Sequence, residues 1–139
     1  EFPVQFDGQL AMLVEDQDEV RNVLRRELVD LGFSVIEAEN ADEAKSLFES
    51  VEGIDLLLTD ISMPGSLNGI ELADWATELH PATSAILMTG QAKIDHDKSI
   101  RHPLLRKPFE TNRLVDAIQH AGYVRHKLGH AEGAASNEH

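Results

Sequence analysis

Two kinds of apolar pattern alternate along the chain. Short unbroken runs occupy Ala11-Met12-Leu13-Val14, Ile54 to Thr59, Ala85 to Met88 and Leu104-Leu105. Between them apolar residues recur every three or four positions, the period of one helix face. Val20, Val23, Leu24, Leu28 and Leu31 share such a face, and Gly32 follows them as a helix-ending glycine. The pattern predicts strands over Leu10 to Val14, Phe33 to Ala38, Ile54 to Thr59, Ser84 to Met88 and Leu104 to Arg106. It predicts helices over Asp18 to Leu31, Ala41 to Ser50, Gly69 to Leu79 and Thr111 to about Tyr123. Asn40 with Glu43 three residues on reads as a capping box, and Thr111 as the cap of the last helix. Ala44, Leu47 and Phe48 read as a buried stripe, Trp75 as amphipathic packing. Pro64-Gly65-Ser66 marks a loop, and His80-Pro81 stops the third helix.

Strand and helix alternating at this spacing predict a parallel sheet with helices on both faces. The third strand is nearly all apolar, as expected where both faces are covered. One stretch breaks the rhythm. From Gln91 to Ile100 only Ala92, Ile94 and Ile100 are apolar, too few for a sustained stripe. A fourth helix there should be short, frayed or absent, and Gln91 to Ser99 the most mobile part of the core. Residues 1–9 read as an N-terminal arm, 10–124 as the domain, and 125–139 as a small, polar and mobile tail.

Composition narrows the function classes. A chain of 139 residues, 42% hydrophobic, fits one domain with a proper core. It has no apolar run long enough to cross a membrane and no basic, apolar leader. It contains no Cys, which excludes thiol chemistry and is compatible with a cytoplasmic location. A net charge of −13 argues against direct nucleic-acid binding, which rests on Lys and Arg at phosphates. The absent initial Met and the arm fit excision from a longer protein.

Candidate chemistry sits at strand ends. Glu15-Asp16, Asp60, Thr89 and Lys107 each follow or close an apolar run. In an open α/β sheet, sites lie outside the carboxyl ends of the strands. Each residue has an ordinary reading alone: a helix-start acidic pair, a turn Asp, a strand exit, a surface Lys. Together, three carboxylates, a hydroxyl and an ammonium suit a divalent cation and a phosphoryl group. Mg²⁺ takes oxygen ligands and commonly one or two carboxylates plus a phosphate. Asp16 and Asp60 are placed to ligate directly, and the longer Glu15 through water. Lys107 can pair with Asp60 and then with a phosphoryl oxygen. His126 and His130 lie four apart but have no third ligand nearby. Gly65 to Gly69 lacks the ending of a phosphate-binding Walker loop.

The chain resembles the receiver domains of two-component response regulators. The matching stretches are Met12-Leu13-Val14-Glu15-Asp16, Leu57-Leu58-Thr59-Asp60-Ile61-Ser62-Met63-Pro64 with Asn68-Gly69-Ile70-Glu71-Leu72, Leu87-Met88-Thr89-Gly90, and Leu105-Arg106-Lys107-Pro108-Phe109. Their order and spacing carry the resemblance. It implies a doubly wound, five-stranded, flavodoxin-like fold. It also implies Asp60 as phosphoacceptor, with Mg²⁺ held by Glu15, Asp16, Asp60 and the Ser62 carbonyl. Thr89 and Lys107 would then read the phosphoryl group, which would come from a phosphohistidine on a sensor histidine kinase or phosphotransfer domain. Such a domain promotes its own phosphorylation and dephosphorylation and is not an independent turnover enzyme.

The chain also departs from the family pattern. Glu15 stands where Asp is commoner, and the Pro64 to Gly69 loop is one residue longer than usual. Leu104 replaces the aromatic that transmits the switch in many members. The segment from His102 to Phe109 and the Thr89-Gly90 exit look most like receivers attached to hybrid histidine kinases. Two alternatives stay open. One is a phosphate-independent interaction module, favoured if Mg²⁺ fails to bind. The other is an Mg²⁺-dependent phosphatase with an aspartyl nucleophile, which Ser62 disfavours because that chemistry wants a second Asp there.

Overall fold

In the computed structural model, which describes residues 6–90 and 100–121, the apolar runs form one parallel sheet. Its strands are β1 (Leu10–Val14), β2 (Ser34–Ala38), β3 (Leu56–Asp60), β4 (Ser84–Thr89) and β5 (Leu104–Arg106), in the order β2-β1-β3-β4-β5. Helices α1 (Asp18–Asp30), α2 (Ala41–Ser50), α3 (Gly69–Leu79) and α4 (111–121) cover it. This is the doubly wound, flavodoxin-like order, as expected. The chain moves outward from β1 to β2, then returns past β1 to lay down β3, β4 and β5. The reversal beside β1 opens a crevice at the carboxyl ends of β1 and β3.

Side chains alternate across a strand, so each strand feeds two cores. Ala11, Leu13, Leu58, Ile86 and Met88 pack with Leu24 and Leu28 of α1 and Leu114 and Ile118 of α4. Met12, Val14, Leu57 and Leu87 pack with Phe48 of α2 and Leu72, Ala73 and Ala76 of α3. Every residue of β3 and β4 is buried, the consequence of cover on both faces. Each such leucine contributes roughly 1.5–3 kcal/mol by leaving water. This double packing makes the strand ends a rigid base for charged groups.

Several local expectations change. Val23 is 56% exposed, while Leu24, Leu28 and Leu31 are buried. The face of α1 is therefore narrower than its apolar residues suggested, and Val20 packs at its edge. Asn40 does accept from the Glu43 N–H at 2.8 Å, but the Glu43 carboxylate accepts from Glu39 instead of closing the box. The complete capping box is at α3, where Asn68 and Glu71 bond each other's N–H groups at 2.9 Å. Thr111 is the first residue of α4 rather than its cap, because the Leu114 N–H bonds the Glu110 carbonyl.

The arm is partly docked. Phe6 is buried, stacks on Phe33 at 4.9 Å and donates its N–H to the Leu31 carbonyl. Trp75 packs edge-on against Phe48, with the Lys45 ammonium 5.0 Å from its ring. The expectations for Gln91 to Ser99, the tail, and His126 and His130 lie outside the described residues. Among the described residues no helix is long and apolar enough to cross a membrane.

Candidate functional site

The site is built by strands that end in register. The Asp60 position pairs with Met88, Val14 pairs with Thr59, and Thr89 pairs with Arg106. The residues at or just past these ends therefore share one edge of the sheet. Glu15 leaves β1, Asp60 closes β3, Thr89 closes β4 and Lys107 leaves β5. Glu15, Asp60 and Thr89 are all buried, while Asp16 is exposed at the rim.

Lys107 joins the acids. Its Nζ donates to Glu15 Oε1 at 3.1 Å and to Asp60 Oδ2 at 3.2 Å. The pairing with Asp60 was expected; Glu15 as an equal partner was not. The other Glu15 oxygen accepts from the Gln17 N–H at 3.1 Å. The Lys107 N–H donates to the Thr89 carbonyl at 2.7 Å, which fixes where the ammonium stem starts. Ser62 lies exposed in the loop two residues past Asp60.

The charges do not balance. Glu15, Asp16 and Asp60 each bring a carboxylate oxygen within 4.8 Å of the others, against one ammonium among the described residues. Burial pushes the Glu15 carboxyl above the usual carboxylate range, although the Gln17 N–H and Lys107 pull it back. Burial likewise raises Asp60; Lys107 opposes this and the Asp16 charge adds to it. Burial would lower Lys107, but its bond to Glu15 and the Asp60 and Glu15 charges hold it above the ordinary lysine value. Such a donor set, oxygen-only, excess negative among the described residues and exposed on the Asp16 side, has the chemistry that suits a hard divalent cation.

Two residues passed over by sequence reasoning matter here. Gly69 opens α3 directly against the Asp60 backbone. A Cβ there would overlap the Asp60 carbonyl oxygen and lie 2.8 Å from Ile61 Cα. The Gly69 N–H donates to the Ile61 carbonyl at 2.9 Å, so the loop after β3 folds back tightly. A glycine at the first position of a helix is the available signal, since it marks a close backbone approach. The second is Arg21, whose guanidinium donates to the Glu15 carbonyl at 2.7 Å. Elsewhere the loop is tied down by the Ser66 hydroxyl on Asp42 at 3.1 Å, and by the Thr59 hydroxyl on the Asp60 carbonyl at 3.0 Å.

Comparison with known proteins gives consistent matches. A family model described as the response regulator receiver domain matches residues 11–119. The chain is similar to the response regulator receiver protein CpdR of Brucella abortus, at 36% identity over 112 residues, 78% of this chain and 92% of CpdR. It is similar to the autoinducer 1 sensor kinase/phosphatase LuxN of Vibrio harveyi, at 28% identity over 80% of this chain but 13% of LuxN. It spans less than two thirds of several relatives, for example 24% of the transcriptional regulator NtrC of Salmonella typhimurium. Among solved structures it is similar to the response regulator protein TrrA of Thermotoga maritima, in complex with Mg(2+)-BeF. That match has a TM-score of 0.72 and 28% identity, covering 81% of this chain and 98% of TrrA.

Proposed function

The chain belongs to the response regulator receiver family, the phosphoacceptor domains of two-component signalling, and on that premise we propose that Asp60 is its phosphorylated residue. One observation carries the assignment. Asp60 is the buried strand-end carboxylate that shares its ammonium partner, Lys107, with a second buried acid. Glu15, Asp16 and Asp60, with the Ser62 carbonyl, would hold Mg²⁺. When bound, Mg²⁺ supplies positive charge that offsets the crowded carboxylates and the phosphoryl oxygens.

The chemistry follows from these positions. An Asp60 carboxylate oxygen attacks the phosphorus of a phosphohistidine, a P–O bond forms and the P–N bond breaks. The departing imidazole takes up a proton, and Asp60 is left as an acyl phosphate. Lys107 then transfers its hydrogen bond from the Asp60 carboxylate to a phosphoryl oxygen, and the Thr89 hydroxyl donates to another. The donor is a histidine kinase or a phosphotransfer domain. The similarity to part of a sensor kinase supports a place in, or beside, a hybrid kinase.

Intact-mass measurement after incubation with acetyl phosphate and Mg²⁺ tests the assignment. One adduct of about 80 Da, the mass of a phosphoryl group replacing a proton, should form. It should be absent in Asp60→Asn. An undiminished adduct in that variant would move the phosphorylated residue elsewhere.

A further inference from the structure

α1 carries a cation where a helix disfavours one. Arg21 is its fourth residue, and the partial positive charge of the helix N-terminus repels a guanidinium there. The repulsion is offset by three hydrogen bonds in three directions. Nη1 donates to the Glu15 backbone carbonyl at 2.7 Å, Nη2 to Asp18 Oδ1 at 2.7 Å, and Nε to Glu37 Oε1 at 3.1 Å. The side chain is only 13% exposed; its carboxylate partners lie toward solvent, and the contact with the Glu15 carbonyl is the part-buried one. They join the turn after β1, the first turn of α1 and the edge strand β2.

The carbonyl contact is the informative one. Glu15 and Asp16 follow β1 directly, in the short link to α1, and one peptide bond joins the two acidic residues. Its entry is fixed by the Glu15 N–H on the Ala38 carbonyl at 3.1 Å. Its exit is held by the Gln17 N–H on the Glu15 carboxylate. Between them the Glu15 carbonyl belongs to the peptide whose rotation would swing Asp16 relative to Glu15, and Arg21 grips that oxygen. A planar guanidinium held from two sides cannot rotate away, which a lysine at this place could.

We propose that Arg21 is the positioning residue of the cation site, locking the Glu15-Asp16 peptide so that Asp16 points its carboxylate toward Glu15 and Asp60. The proposal rests on the reading of that acidic cluster as an Mg²⁺ site. Groups that orient metal ligands typically change affinity by tenfold or more when removed.

Calorimetric titration of the 139-residue chain with Mg²⁺ tests it, beside thermal melts in chelator and phosphorylation rates in acetyl phosphate at increasing Mg²⁺. Arg21→Ala should bind Mg²⁺ about tenfold more weakly. Its phosphorylation rate should return to the wild-type value once Mg²⁺ is saturating, because Asp60, Thr89 and Lys107 are untouched. Asp18→Asn removes one ionic partner of Arg21 but leaves the carbonyl contact, so it should keep wild-type affinity. A variant that merely destabilised the fold would lose rate at every Mg²⁺ concentration, and that result for Arg21→Ala would overturn the proposal. Unchanged affinity in Arg21→Ala, with wild type binding normally, would overturn it while leaving the site intact. Failure of the wild type to bind Mg²⁺ would remove the site and the proposal together.

Discussion

The two ends of the central sheet treat acidic residues in opposite ways. At the amino-terminal end, Asp55 precedes β3 and is fully engaged by backbone. Its carboxylate accepts from the Leu10 N–H at 2.9 Å, its N–H donates to the Leu10 carbonyl, and its own carbonyl accepts from Ser84. The buried Thr83 hydroxyl nearby closes on the Ile54 carbonyl at 2.7 Å. At the carboxyl-terminal end, three carboxylates face one ammonium. One acid stitches three strands together; the others, two buried and one exposed at the rim, repel one another. An acid that completes a hydrogen-bond pattern is structural. A group of acids left with net charge among the described residues suits a cationic partner better than it suits the fold.

That contrast can be tested, beginning with the backbone on which the charged end rests. Gly69→Ala should be the most damaging single change. The added methyl meets the Asp60 backbone, which is held in β3 and cannot yield as a flexible side chain would. Overpacking against fixed atoms costs about 3 kcal/mol or slightly more. Urea unfolding reads this directly. A loss below about 0.5 kcal/mol would mean that the loop after β3 can slide, and that its tight return does not hold Asp60 in place.

Next come two acid removals with opposite expected signs. Asp55→Ala leaves the Leu10 N–H without its acceptor and should destabilise the protein by about 1–2 kcal/mol, with phosphorylation unaffected. Asp60→Asn should stabilise the metal-free protein at neutral pH, by an amount on the order of 1 kcal/mol, a shift of a few degrees in a domain of this size. The sign follows from the raised carboxyl of Asp60. A group whose pKa rises on folding contributes its stability below the unfolded value and loses it as pH climbs through the folded one. The advantage of Asp60→Asn should therefore be present at neutral pH and fade as the pH falls into the carboxylate range. Lys107, also raised, stabilises at neutral pH and loses that contribution only in the alkaline range above its ordinary value. Melts in chelator across pH would expose the reverse pattern, an advantage growing toward acid, which would contradict a strained acidic crevice.

Much of this was legible before any coordinates. Apolar runs and helix-period stripes located five strands and the helices between them, because burial on both sheet faces forces those patterns into the sequence. The shared location of the candidate residues followed from one topological rule, that strands of a parallel sheet end together. What escaped was set by neighbours rather than by local pattern. Val23 has the right spacing for a buried face but lies beyond the width of surface that the sheet offers α1. Glu43 turned to Glu39 because a second N–H was within reach. Glu15 as a partner of Lys107 could not be read, since the two are 92 residues apart and only the fold makes them touch. Leu104 lies partly buried on β5, paired with Leu87 and packed against the core on that face of the sheet.

The smallest effect sharpens the comparison most, because it separates the two roles of one residue. Asp16 is exposed at the rim, so solvent and salt screen its repulsion of Asp60. Asp16→Asn should raise the melting temperature of the metal-free protein by only about 1 °C, less than Asp60→Asn does. Adding salt should shrink that gain further. With Mg²⁺ present the order should reverse. Wild type should gain stability if Mg²⁺ binds the folded state alone, by an amount growing with the logarithm of free Mg²⁺ above its dissociation constant. Asp16→Asn, short of one ligand, should gain little. The two melting curves should therefore cross as Mg²⁺ is raised, the variant ahead without metal and behind with it. A variant that stayed ahead at every concentration would make Asp16 a bystander. One that was behind even without metal would mean its carboxylate stabilises the turn by itself, as Asp55 does at the other end.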